Sequence, residues 1–203
     1  MDSTHAVAKV WADWAQYRGL PAEQVIAHAH GRRSIETIRA FAPELDAARE
    51  NLKVEQMEIE AHEGVVALAG ADYLLRCLPQ DRVAVVTSAT RALARARLDY
   101  AGLQIPKHIV SADDVIEGKP SPEPYLKGAE LLGFAPQDCL VFEDAPAGIS
   151  AAEKAAMRVI ALPTTCPAGE LSRAAAIVRS LNAVRIQVRD KNILIRIHRA
   201  QKT

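Results

Sequence analysis

Short apolar runs separated by amphipathic segments dominate the chain from about residue 70 onward. The apolar runs lie at residues 83–86, 108–110, 139–142 and 158–162, and the helical patterns lie at residues 73–78, 91–100, 122–132 and 149–157. Runs without polar alternation are typical of strands buried on both faces, which occur in parallel sheets covered by helices. The pattern therefore predicts an α/β fold with a doubly wound parallel sheet.

Residues 1–66 carry helical signals and no convincing strand. The first predicted helix has one apolar stripe, made by Val7, Val10, Trp11 and Trp14. Pro21 is placed to open a second helix and Ser34 to cap a third, and residues 44–62 form a longer, polar helix. A helical domain is thus expected to precede the α/β domain.

The last predicted element is a β-hairpin in the one densely basic stretch of the chain, between Arg185 and Arg199. Apolar and polar residues alternate there, and the sequence Arg189-Asp190-Lys191-Asn192 interrupts the alternation. Alternation with a period of two indicates strands with two different faces. We expect one face to be basic and solvated.

Composition narrows the possible partners. The 25 Lys and Arg residues balance the 25 Asp and Glu residues, so the sequence shows no electrostatic footprint for nucleic acid or an anionic membrane. No apolar run approaches membrane-spanning length, and no signal peptide is visible. The three cysteines form no CxxC pair, which favours reduced thiols in the cytoplasm. We expect a cytoplasmic monomer that acts on a small molecule.

Two adjacent acids, Glu143 and Asp144, follow the buried strand predicted at residues 139–142. Ligands of open α/β sheets collect beyond the carboxyl ends of the strands, where these acids would lie. Adjacent carboxylates repel each other, and a hard cation such as Mg2+ would relieve that repulsion. The acids would equally suit the N-terminus of the following helix, and the residues alone do not decide between the two interpretations.

Several hydroxyl-bearing residues and one lysine are predicted to lie at the same edge of the sheet as the two acids. Thr87, Ser88 and Thr90 follow the strand at residues 83–86, where hydroxyl and backbone donors suit phosphate oxygens. Lys119 lies in a Pro-rich turn and is placed to neutralise a phosphoryl group. Helix capping by the threonines and a merely solvated lysine are the alternative interpretations.

These segments together resemble the haloacid dehalogenase-like hydrolase superfamily, in particular its sugar-phosphate phosphatases and the β-phosphoglucomutase branch. VVTSAT is similar to the second motif of the family, EGKPSPEPYLKGAELLG to the third and VFEDAPAGISAAEKAAM to the fourth. The resemblance implies a helical cap domain at residues 4–66. It implies a Rossmann-like core domain at residues 67–203 that ends in the hairpin.

The resemblance also implies roles for individual residues. Ser88 would bind the transferring phosphoryl group, with Thr87 and Ala89 lining the loop, and Lys119 would balance the charge. Asp144 and Glu143 would hold Mg2+, with Asp144 as the stronger candidate. In the cap, Arg32 or Arg33 would contact a sugar hydroxyl or a phosphate. These roles describe a Mg2+-dependent phosphatase of small phosphorylated metabolites.

One departure from the family is large, because its first motif, a strand ending in DxDGT, is absent. That motif carries the nucleophilic aspartate and the acid/base aspartate, and its strand is the middle of the sheet. Asp113-Asp114 lacks the glycine turn and does not replace it. Without the strand, the second- and fourth-motif strands lose their shared neighbour.

We expect Met1 to be a start assigned too late, at a GTG valine codon, so that the longer protein carries the motif. The chain as written should then turn over negligibly. A catalytically inactive phosphate-binding module and a sugar-phosphate mutase are the alternatives.

Overall fold

The computed structural model describes residues 1–189 and 192–198 of the chain. Its first part is helical and its second part is an α/β unit. The helices of the first part are α1 (Thr4–Arg18), α2 (Ala22–Ala29), α3 (Ser34–Phe41) and α4 (Ala47–Glu60). The helical half predicted from the sequence is therefore present.

The helical half has its own apolar core. Trp11 and Trp14, on the apolar stripe of α1, are buried in this core, and their rings meet edge to face with centroids 5.4 Å apart. Val25, Ile38 and Val54 from the other three helices are fully buried against them. Each helix thus buries one apolar face in a common cluster.

Strands and helices alternate through the rest of the chain. The helices are α5 (Ala71–Cys77), α6 (Arg91–Tyr100), α7 (Glu123–Leu132) and α8 (Pro146–Lys154). The strands are β1 (Ala84–Val86), β2 (His108–Val110), β3 (Leu140–Glu143), β4 (Arg158–Ala161), β5 (Ala176–Ile177), β6 (Val184–Arg189) and β7 (Asn192–Ile197). This order confirms the predicted α/β class.

The parallel strands are divided between two sheets. β1 pairs with β2, and β3 pairs with β4, which in turn pairs with β5. Within the described residues no ladder joins β1 to β3. The two strands are nevertheless neighbours, because Val85 belongs to the same apolar cluster as Leu140 and Phe142. Each of the two strands is therefore paired on one side only among the described residues, and we call this break between the two sheets the gap.

The C-terminal hairpin forms as predicted over β6 and β7. The strands are antiparallel, with Val184 opposite Ile197, and the positions of Asp190, Lys191 and Arg199 lie outside the described residues. Val184 and Ile186 pack into the cluster that contains Leu74 of α5, while Arg185 faces solvent. The hairpin therefore covers one end of the α/β unit.

Several predicted details differ from the structure. Ser34 begins α3 but does not cap it, because its hydroxyl donates to Glu58 instead. α8 starts directly after the two acids, as expected, but it ends at Lys154, before the predicted end at residue 157. β5 was not predicted. No helix of the described residues is long and apolar enough to cross a membrane.

Candidate active site

Glu143, the last residue of β3, lies at the centre of a buried hydrogen-bond network. Its Oε1 accepts from Lys119 Nζ at 2.6 Å and from the Tyr125 hydroxyl at 3.0 Å. Its Oε2 accepts from the backbone N–H groups of Asp144 and Ala145 at 2.6 and 2.8 Å. Four donors therefore occupy this carboxylate.

The charges of this network support each other. Burial alone would raise the pKa of Glu143, but the Lys119 ammonium and the backbone donors outweigh it and hold the pKa below its ordinary value. Burial alone would likewise lower the pKa of Lys119, and the Glu143 carboxylate raises it instead. Both side chains are about 93% buried. The pair is thus ionised, and each partner makes the burial of the other tolerable.

Lys119 also connects the ends of the two separate sheets. Its Nζ donates to the Val86 carbonyl at the end of β1, at 3.3 Å, as well as to Glu143 at the end of β3. The ammonium therefore lies between the two strand ends that carry the candidate residues.

Tyr125 and Gly148 are parts of this network that sequence reasoning missed. The Tyr125 hydroxyl fixes Glu143, and a Cβ added to Gly148 would lie 1.8 Å from Glu143 Oε1. The only available signal was their position inside the segments that resemble the third and fourth motifs. An isolated Tyr or Gly on an amphipathic helix carries no signal of its own.

Asp144 is bonded differently from its neighbour. Its Oδ2 accepts from Thr164 Oγ1 at 2.7 Å, and its backbone carbonyl accepts from Thr165 Oγ1 at 2.6 Å. Burial, and then the negative charge of Glu143, raise the pKa of Asp144 above its ordinary value. A cation beside Asp144 would relieve both effects.

The described residues supply only part of a metal site. No group of three or more His, Cys, Asp or Glu side chains suited to hold a metal occurs among them. Glu143 is fully bonded to Lys119, Tyr125 and the backbone, so Asp144 is the carboxylate of the pair that retains capacity for a ligand. These residues alone therefore do not complete a Mg2+ site.

The loop after β1 carries the predicted phosphate-binding residues. The Thr87 N–H donates to Val110 of β2, and Thr87 Oγ1 accepts from the Ala89 N–H at 3.1 Å. Ser88 Oγ donates to the Gly31 carbonyl of the helical half at 2.9 Å. The loop thus presents Ser88 toward the helical half, within reach of the same cavity as Lys119.

The connection between α2 and α3 covers this loop. Gly31 has φ +74°, and a Cβ there would lie 2.7 Å from Ala145 Cβ, so both the backbone and the space require glycine. Arg32 lines the cavity together with Ser88. Arg33 lies outside it, where its guanidinium pairs with Glu36 at 2.6 Å.

A cavity of about 260 Å3 lies between the two halves and collects most of the predicted residues. Thr87, Ser88, Ala89, Lys119, Glu143, Asp144 and Arg32 all line it. Among the residues predicted for the site, Arg33 is the one that does not. A carboxylate, an ammonium and a hydroxyl around a half-open cavity form a site that can hold a small anion.

Comparison with known proteins agrees with this geometry. A sequence model described as haloacid dehalogenase-like hydrolase matches residues 1–162. The chain belongs to the haloacid dehalogenase-like hydrolase family. The predicted resemblance is therefore confirmed.

Two relatives of this haloacid dehalogenase-like chain are named for phosphatase activities. Hexitol phosphatase A of Escherichia coli (strain K12) is 40% identical over 191 residues, which cover 92% of this chain and 88% of that protein. Glycerol-1-phosphate phosphohydrolase 2 of Saccharomyces cerevisiae is 37% identical over 175 residues, which cover 80% of this chain and 70% of that protein. Together with the family, they make this chain a hydrolase acting on phosphate esters.

Solved structures support the fold. β-Phosphoglucomutase from Clostridium difficile is similar with a TM-score of 0.75 and 21% identity, covering 89% of this chain and 86% of that chain. A hydrolase from Pseudomonas syringae has a TM-score of 0.75 and 25% identity, and the match covers 88% of each chain. The first likeness shows the Rossmann-like fold alone and does not distinguish a mutase from a hydrolase.

Proposed function

We propose that this haloacid dehalogenase-like protein is a phosphatase of small phosphorylated sugars or polyols. The observation that carries the proposal is the position of Lys119, buried between the ends of β1 and β3 and lining one cavity with Ser88 and Asp144. The names of the relatives, a hexitol phosphatase and a glycerol-1-phosphate phosphohydrolase, support the substrate class.

The described residues would bind and orient the phosphate. Ser88 would turn its hydroxyl proton from Gly31 to a phosphate oxygen, and the Lys119 ammonium would offset part of the phosphate charge. Glu143 would keep Lys119 protonated and fixed in direction. The helical half would exclude bulk water from the cavity, with Arg32 beside the substrate.

Mg2+ belongs to this proposal as a cofactor that would neutralise phosphate charge when bound. Asp144 would supply one of its ligands, with Glu143 close behind it. The remaining ligands would come from outside the described side chains.

The three free thiols support our expectation of a reducing cytoplasm, and we retain the expectation of a monomer.

We further propose that the complete protein uses a phospho-aspartate intermediate. The nucleophile would lie on an additional strand between β1 and β3, where the two sheet edges leave a gap. Removing a covalent nucleophile costs on the order of 10^4 to 10^6 in rate. We therefore expect negligible turnover from the 203-residue chain.

The test compares two versions of the protein in one phosphate-release assay. The 203-residue chain and a version extended by a strand that ends in DxDGT are given hexitol phosphates and glycerol phosphates, with and without Mg2+. We expect Mg2+-dependent release of phosphate from the extended version alone. Appreciable turnover by the shorter chain would contradict the missing-nucleophile assignment, and isomerised sugar phosphate in place of free phosphate would indicate a mutase.

A catalytically inactive phosphate-binding module is the second candidate. It is favoured by Ser88, Lys119 and Asp144 lining one cavity within described residues that hold no DxDGT segment. Thermal stabilisation by phosphate without turnover, together with genomic DNA that encodes no DxDGT segment upstream in frame, would support this candidate.

A further inference from the structure

Three polar residues from helices form a second polar group in the wall of the cavity. Glu58 lies on α4, Ser34 begins α3, and Arg97 lies on α6 of the α/β half. Glu58 Oε1 accepts from the Arg97 guanidinium at 3.0 Å, and Glu58 Oε2 accepts from Ser34 Oγ at 3.2 Å. We call Ser34, Glu58 and Arg97 the helix triad. All three residues line the cavity that also holds Ser88 and Lys119.

The helix triad buries two charged side chains, and the desolvation of these charges is unfavourable for folding. The Glu58 side chain is 5% exposed and the Arg97 side chain 11%. Burial raises the pKa of Glu58, and the Arg97 charge only opposes that shift. A buried ion pair of this kind is often no more stabilising than apolar residues of the same volume.

Hydrogen bonding around the helix triad is also incomplete. Arg97 Nε is buried and has no partner among the described residues. The same holds for Nε2 of His30, which lines the cavity as well. His30 Nδ1 lies 2.8 Å from the Ile26 carbonyl, so Nδ1 carries the proton that donates there, and Nε2 is the ring nitrogen left without a partner. Polar groups left unpaired in a cavity favour a ligand with hydroxyl groups.

We propose that Glu58 and Ser34 bind hydroxyl groups of the substrate and thereby set its specificity. This inference rests on the proposed function, because it concerns the part of the substrate that Ser88 and Lys119 do not hold. A carboxylate can accept about four hydrogen bonds. Glu58 accepts one from Arg97 and one from Ser34, so it can accept further hydrogen bonds from a ligand. Arg97 is a positioning residue that fixes the direction of Glu58.

The charge and the volume restrict the substrate further. Glu58 is paired with Arg97, so the two side chains together add no net charge to the cavity wall, and their free hydrogen-bonding capacity suits a neutral, hydroxylated body. A volume of about 260 Å3 is below the range of roughly 300 to 1,000 Å3 usual for ligand pockets. The substrate class is therefore a small polyol monophosphate.

Calorimetric binding to the 203-residue chain tests this inference without a requirement for turnover. The probes are sorbitol 6-phosphate and n-hexyl phosphate, which share the carbon number and the phosphate and differ in hydroxyl groups. We expect the unchanged chain to bind the polyol at least about tenfold more tightly. Glu58→Gln should remove most of that preference and leave n-hexyl phosphate bound as before.

Glu55→Gln is the matched control. Glu55 lies one turn earlier on α4 and bonds Thr90 across the same boundary between the two halves, outside the lining of this cavity. It should keep the preference for the polyol. If Glu58→Gln does not fold, Ser34→Ala removes one hydroxyl from the helix triad and should reduce the preference on its own.

Equal binding of sorbitol 6-phosphate and n-hexyl phosphate to the unchanged chain would overturn the inference alone, as would equal weakening of both by Glu58→Gln. Failure of every phosphate ester to bind would overturn the proposed function and the inference with it.

Discussion

At the residue scale, the site depends on side chains whose partners are far away in the sequence. The acids at residues 143 and 144, Ser88 and Lys119 could be placed at one sheet edge from the strands and the turn beside them, and the resemblance to the family supplied their expected roles. Tyr125 could not, since a tyrosine on an amphipathic helix normally packs against the core. The bond from Ser34 to Glu58 could not be predicted either, because it depends on how α3 meets α4.

Gly148 offers a test of the buried charge pair. Alanine in a helix normally gains about 1 kcal/mol over glycine. At this position the new Cβ would lie 1.8 Å from Glu143 Oε1 and displace the carboxylate from Lys119. Breaking a buried pair costs about 3 to 5 kcal/mol, so Gly148→Ala should lower the free energy of unfolding by about 2 to 4 kcal/mol.

Urea unfolding measures this change, and Gly169→Ala is the control. A Cβ at Gly169 meets nothing within 4 Å. Equal stability of the two variants would show that the Glu143 carboxylate is not held as described.

At the element scale, periodicity predicted the elements that have a clear apolar pattern, whatever their length. The helix α6 and the three-residue strand β2 both have the bounds that the sequence indicated. β5 consists of only Ala176 and Ile177, which is too short to show a hydrophobic periodicity. It is recognised as a strand only by its parallel pairing with β4. The start of α4 is determined by Asp46, because the Asp46 carboxylate accepts hydrogen bonds from the backbone N–H groups of Ala48 and Arg49.

The contact between α1 and α4 predicts a loss of stability in acid. Glu50 on α4 accepts from Lys53, Arg18 and Trp14, and these bonds lower its pKa from 4.5 to about 2. The pKa is lower in the folded state, so this stabilisation is present above pH 4.5 and is lost as the pH falls toward 2. Lys53 is half exposed and screened by solvent, so we expect a loss of roughly 2 kcal/mol.

Tryptophan fluorescence during urea unfolding follows this effect, because both tryptophans, Trp11 and Trp14, lie on α1. Glu50→Gln should remove this part of the pH dependence. Glu60→Gln, an exposed position on the same helix, should retain it. An unchanged acid profile in Glu50→Gln would contradict the assignment.

At the scale of the whole molecule, the main feature is the gap between β1 and β3. The sequence predicted that the two strands lack a shared neighbour, but not how the chain accommodates the gap. The helical half and Lys119 together hold the two sheet edges near each other. β1 is half-buried along its whole length, whereas a central strand of a doubly wound sheet is buried on both faces.

Hydrogen exchange should report the gap directly. Backbone amides of β1 and β3 that point away from β2 and β4 lack a strand partner in the described chain, so they should exchange at least about tenfold faster than amides within the paired ladders. Mass spectrometry or NMR measures the difference. In the version extended by a strand, the same amides should become protected, and fast exchange in both versions would argue against a strand between β1 and β3.

The hydrogen bond from Ser88 to Gly31 has a consequence for the order of events at the site. A serine hydroxyl carries a single proton, and here it is committed to the carbonyl of the loop that covers the cavity. The same proton cannot hold a phosphate oxygen at the same time. If Ser88 has the proposed role, a phosphate oxygen would replace the Gly31 carbonyl as the acceptor of this proton, so one contact between the loop after β1 and the helical half would be exchanged for a contact with the substrate.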